Sequence, residues 1–198
     1  MSRQTHYPSY NVMREEDAWD DHTQSIVRAR HSVSSDLHFL TQEEADKLTV
    51  LCGLLVNDDS PEVLSYVVRH IDDTLSSSAG EGQRQQGVPA AKTLIRQGLQ
   101  ALDNCAKEGH SVSFLKLDRA GQKRMLEEIS AGSAEPHTAW SGIPQKPFFQ
   151  KLLNLTVESY CSHPQIWSEI GYGGPAYPRG YVRTQIGQLD PWEAKQER

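Results

Sequence analysis

Between residues 36 and 160 apolar side chains return every three or four positions, and that spacing confines the chain to packed helices. Thr41 and Glu44 make a capping box ahead of Leu48, Leu51, Cys52 and Leu55, which predicts a helix over 42–56. Ser60-Pro61 offers a capping hydroxyl with proline at the first helical position, and Val63, Leu64, Val67, Val68, Ile71 and Leu75 form one stripe behind it. A polar, Gly- and Ser-rich connection over 76–87, expected to be mobile, leads to a helix that opens at Pro89 and closes near Gly109. Its buried face is Leu94, Ile95, Leu99, Leu102 and Cys105. Asp118 caps a shorter helix with Met125, Leu126 and Ile129 inward and Gly132 at its end. Pro147-Phe148-Phe149 opens the last one, which carries Leu152, Leu153, Leu155, Thr156 and Tyr160 and stops before Pro164.

The two ends read differently. A short helix is expected from Trp19 to about Arg30, with Ile26 and Val27 buried, behind an arm containing Tyr7-Pro8 and Tyr10. Residues 167–183, WSEIGYGGPAYPRGYVR, have turn signals and aromatics without periodicity and read as irregular structure. The fold class is therefore all-α, an irregular helical domain of about five to six helices with an extended Gly-, Pro- and aromatic-rich C-terminal arm. One domain over 1–198 is expected: an N-terminal arm and short helix over 1–35, a helical core over 36–160 and the arm over 161–198.

Charge and length narrow the function. With 20 Lys and Arg against 26 Asp and Glu, the net charge is -6, and no basic run provides a local surface for phosphate backbones or anionic lipid. The longest apolar stretch, 48–56, falls well short of the ~20 residues a bilayer span needs. The N-terminal residues show neither an apolar signal core nor a twin arginine, so a cytoplasmic location is expected. Cys52, Cys105 and Cys161 are far apart and odd in number, which points to free thiols.

The familiar chemical motifs are missing. Gly171-Tyr172-Gly173-Gly174-Pro175 follows no predicted strand and has proline where a phosphate cradle needs amide donors, so it reads as a turn. Trp140-Ser141-Gly142 lacks the flanking glycines of a nucleophile elbow. The eight histidines include no pair at ligand spacing within one helix, and no metal site is specified. His70 and Asp73 would be neighbours on one helical face and could form an acid–base pair, although an exposed polar face explains them more simply. Asp20-Asp21-His22 and Asp58-Asp59 read as caps and solvated turns. A surplus of aromatics remains: Trp167, Tyr172, Tyr177 and Tyr181 sit in a stretch with too few aliphatics for its own core, so they must lie on this chain or on a partner.

Those same residues carry a resemblance. Pro147-Phe148-Phe149, Leu152, Leu155-Thr156, Glu158 and Tyr160, then Ser162 and Pro164, then Trp167, Ile170-Gly171-Tyr172 and Gly174-Pro175 resemble gluconate 2-dehydrogenase subunit 3. Upstream, Tyr7-Pro8, Tyr10, Trp19-Asp20, Thr23, Val27, Arg30, Phe39-Leu40-Thr41 and Glu44 are similar to the family as well. The resemblance implies a non-catalytic small subunit that binds and stabilises a large flavoprotein of the glucose-methanol-choline class, which oxidises sugars or sugar acids with FAD. It places no cofactor in this chain and FAD in the partner, within a hetero-oligomer. Candidate partner contacts are Phe148, Phe149, Trp167, Ile170, Tyr172, Pro175, Tyr177 and Tyr181. The rival readings are a stand-alone helical enzyme using His70 and nearby carboxylates, or a general helical interaction module.

Overall fold

A computed structural model describes residues 5–31, 36–77 and 85–196. Its regular elements are helical: α1 (Asp21–Ala29), α2 (Gln42–Val56), α3 (Pro61–Ser76), α4 (Ala91–His110), α5 (Arg119–Ala131), α6 (Gln145–Tyr160) and α7 (Pro164–Ile170). Short 3-10 segments lie at Val12–Ala18, Phe114–Lys116 and His137–Trp140, and no strand occurs among the described residues. No helix there is long and apolar enough to cross a membrane. The expectation of mobility over 76–87 lies for residues 78–84 outside the described part. The chain gathers into two compact units, one of residues 35–159 and one of residues 1–34 with 160–198.

In the first unit the local signals act as the residues demand. Thr41 Oγ1 accepts from the Glu44 amide at 3.2 Å while Glu44 Oε2 accepts from the Thr41 amide at 2.8 Å, closing the capping box of α2. Asp118 Oδ1 caps α5 through the Gly121 amide at 2.7 Å, and Gly132 ends it at φ 76. Ser60 occupies the N-cap of α3, but its hydroxyl makes no capping bond; Pro61 starts that helix without it. The fourth helix starts at Ala91, two residues after the expected Pro89, and ends beyond Gly109 with Ser111 in the left-handed region.

Helices α2, α3 and α4 pack on one another, and their Leu48, Leu51, Val67, Ile71, Ile95 and Leu102 are all buried. Two buried carboxylates fasten the segments that flank them. Asp72, fully buried on α3, accepts from the amides of His38, Phe39 and Leu40 at 2.6, 3.0 and 2.7 Å, which pins the segment entering α2. Asp103 on α4 accepts from the Phe114 amide at 3.0 Å and meets Lys107 at 2.7 Å and Lys47 at 3.8 Å. Burial opposes charge on Asp103, yet the lysines and the amide outweigh it and hold its carboxyl below the usual range.

Helix α6 enters this core through Phe148, whose ring is fully buried and tilts against Trp140 at a centroid distance of 5.6 Å. The approach is possible because position 98 on α4 is glycine. A Cβ there would lie 2.7 Å from Phe148 Cγ and nearer still to Cδ2 and Cε2. Gly98→Ala is therefore expected to destabilise the protein by about 1 to 3 kcal/mol, because a ring enclosed on all sides cannot swing clear. Chemical denaturation checks it, and an unchanged midpoint would contradict the packing.

Candidate functional site

The second unit forms where the two chain ends meet. Asp20, in extended backbone, accepts from the Thr23 amide at 2.6 Å and starts α1, which places Val27 inward. Ile26, expected to be buried beside it, is instead 44% exposed, because a helix turns adjacent residues by roughly 100°. Val27 joins Val12, Trp19 and Trp167 in a buried cluster, with Tyr10 and Met13 against it.

Trp167 reaches that cluster from α7, a helix where irregular structure was expected. Its signal is short: His163 at the N-cap accepts from the Gln165 amide at 3.2 Å, Pro164 stands at the first helical position, and Gly171 at φ 75 closes the helix after seven residues. The Trp167 indole N–H donates to the Cys161 carbonyl at 2.7 Å. Arg30 stacks over its ring at 5.2 Å and donates to the Ser162 carbonyl at 2.7 Å, while Tyr172 meets the ring edge-on at 5.5 Å. Ser168 Oγ accepts from the Val12 amide at 3.1 Å, and Thr5 Oγ1 donates to the Glu169 carbonyl at 2.6 Å. Gly174 completes the packing, since at φ 77 a Cβ would stand 2.6 Å from the Trp19 indole.

The eight candidate partner contacts separate by burial. Phe148 is enclosed in the helical unit, because it shares the inward face of α6 with Leu152 and Leu155. Trp167, only 5% exposed, is enclosed in the unit of the two ends. Both spend their aromatic surface inside this chain and leave little of it for a partner. Phe149 and Pro175 are half-buried, whereas Ile170, Tyr172, Tyr177 and Tyr181 are exposed. Val182, Ile186 and Leu189, which sequence reasoning passed over, are exposed too. Most of the exposed large apolar side chains among the described residues thus fall within 170–189. Three aliphatics spaced four and three residues apart, in a Gly- and Gln-rich stretch that forms no helix, were the available signal.

Arg179 anchors this stretch. It donates to the Gly173 carbonyl and stacks over Trp192 at 4.5 Å; burial lowers its pKa from the ordinary arginine value. Tyr10 donates to the Trp192 carbonyl at 2.8 Å, and burial pushes its phenol up to about 12, which keeps that donor protonated.

The suggested acid–base pair takes other partners. His70 Nδ1 lies 2.9 Å from Ser159 Oγ, a buried hydroxyl, and its ring tilts against Tyr66. Asp73 meets Arg69 at 3.2 Å and His38 at 3.7 Å. Asp20 caps α1, and Asp58 closes a turn by accepting from the Ser60 amide at 2.9 Å. The three thiols are free. Burial pushes Cys52 up to about 12 against a hydrogen-bonding Thr156, and burial also raises Cys105, which accepts from the Trp140 indole at 3.1 Å, so neither offers a thiolate near neutral pH.

A family model for gluconate 2-dehydrogenase subunit 3 matches residues 42–174. That is more than half of the chain, and the protein belongs to this family. No curated protein and no solved structure matches it.

Burial predicts opposite results for two aromatics of the same region. Trp167→Ala should lower the stability of the isolated chain by about 3 kcal/mol or more, whereas Tyr177→Ala, at a side chain 69% exposed, should stay within about 0.5 kcal/mol of wild type. Thermal and denaturant unfolding of both variants checks this; equal losses would contradict the assignment of Trp167 to the core.

Proposed function

We propose that this chain is the non-catalytic small subunit that binds and stabilises a large FAD-dependent oxidoreductase of the glucose-methanol-choline class acting on sugars or sugar acids. The observation that carries the reading is membership of the gluconate 2-dehydrogenase subunit 3 family, whose description makes the chain one part of a dehydrogenase assembly. Two features of the chain support it. The residues nominated for stand-alone catalysis, His70 and Asp73, are engaged with Ser159 and Arg69 respectively. The surface over 170–189 carries apolar side chains that a partner could cover.

In this reading FAD and the oxidation of substrate belong to the partner, and this chain contributes surface. Ile170, Tyr172, Tyr177 and Tyr181 are its candidate contacts, with Phe149 and Pro175 half-covered beside neighbours in their own units. Phe148 and Trp167 act indirectly, by holding those units in shape. Tyrosine suits such contacts because it brings a large apolar area with few rotatable bonds and a hydroxyl that can still bond at the rim.

Co-expression of the tagged chain with its native proteome tests the reading. Purification is expected to bring down one abundant larger protein with a flavin absorbance spectrum in fixed ratio, and sugar oxidation should follow that protein and be absent from the separated chain. A chain that purifies alone, or that oxidises sugar after the larger protein is removed, would overturn it.

A further inference from the structure

The loop from Val182 to Asp190 holds a defined shape although its side chains are bare. Asp190, 1% exposed at its base, accepts from the amides of Val182 and Arg183 at 2.8 and 2.7 Å. Gln188 Oε1 accepts from the Thr184 amide at 3.1 Å and ties the limbs a second time. Between these ties Ile186 is fully exposed, with Val182 and Leu189 at 55% and 49%. A β-branched aliphatic held out on a closed, hydrogen-bonded loop buries nothing within its own chain, and its χ1 stiffness means little side-chain freedom is lost when something covers it.

Charge decides what that occupant is. From Ile170 to Leu189 the charged side chains are Arg179, Arg183 and none of opposite sign beyond Ile170. Arg179 is directed inward at Gly173 and Trp192, and Arg183 stacks on Tyr181 at 5.3 Å and meets Glu193 at 3.5 Å. What faces outward is apolar apart from Arg183, half-exposed and paired with Glu193, which gives a phosphate backbone or an anionic bilayer little to hold and matches an apolar socket on a folded protein. Membership of a dehydrogenase subunit family makes a further subunit of such an assembly the protein to expect. Resting on the accessory-subunit reading, we propose that residues 182–190 form a preshaped plug whose tip, Ile186, inserts into an apolar socket of the flavoprotein partner. The loop lies beyond residues 42–174, so the contact adds to whatever the family-matched part provides.

The test uses the full chain and the flavoprotein that co-purifies with it, identified by mass and flavin spectrum, with their affinity measured by titration calorimetry. Ile186→Asp is expected to weaken binding about tenfold or more, Ile186→Val to stay within about threefold, and both to keep the melting temperature of the free chain, since the side chain packs on nothing. Wild-type affinity in Ile186→Asp would overturn the plug while leaving the accessory reading intact. A fall in the melting temperature of the free variant would overturn it by showing that Ile186 packs internally. Binding of the wild-type chain, but not Ile186→Asp, to phosphatidylglycerol vesicles would reassign the loop to a membrane. If the wild-type chain holds no flavoprotein at all, the accessory reading falls and the plug falls with it.

Discussion

The burial of the Trp167 indole is the interaction on which the unit of the two chain ends depends. Val12, Trp19 and Val27 come from the N-terminal residues and Trp167 from α7, so this cluster is where distant parts of the sequence share one apolar interior. Its polar atom is satisfied by the Cys161 carbonyl and its face by Arg30, which leaves the ring no better environment in water. The residues after α7 are placed by that contact together with Gly174 against Trp19 and Tyr10 on the Trp192 carbonyl. Tyr172 leans on the ring itself, and the stretch that follows is fastened through Arg179 and Asp190. A surface with few aliphatic contacts of its own is thereby held ready, at the cost of stability borrowed from Trp167.

A second device recurs through both units: a buried aspartate that satisfies main-chain amides lying outside the α-helices. Asp72 does so for residues 38–40, Asp103 for Phe114 and Asp190 for Val182 and Arg183. An irregular segment exposes donors that a helix would pair internally, and a carboxylate accepts two or three of them at once through charge-assisted bonds. The device lets this chain carry ordered connections without strands, and at Asp190 it shapes the exposed loop.

Where local chemistry settles local structure, the sequence was legible. The Thr41–Glu44 box, the α3 stripe, the Asp118 cap and the Gly132 stop each depend on residues within one or two turns, and each stands where expected. Helix α7 escaped because seven residues are too few to display a period, although His163 and Pro164 mark its start. Asp72 and Asp103 carry no local signal, since their amide partners arrive from eleven to more than thirty residues away. The aromatic surplus was legible as a class, but its division was not. Phe148 is interior because Gly98 admits it and Trp167 because Val12 and Trp19 surround it, and such pairings exist only in the fold.

Under the proposed function labour is divided: enclosed aromatics hold each unit together, and the exposed apolar stretch is the surface offered to the proposed flavoprotein partner. Amide hydrogen exchange, read by mass spectrometry on the free chain and on the chain bound to its co-purifying flavoprotein, measures that division directly. Backbone amides over 177–189 should exchange markedly more slowly in the complex, while those of α3 and α4, already protected by packing, should change little. Unchanged exchange over 177–189 in a complex that is demonstrably intact would contradict the account.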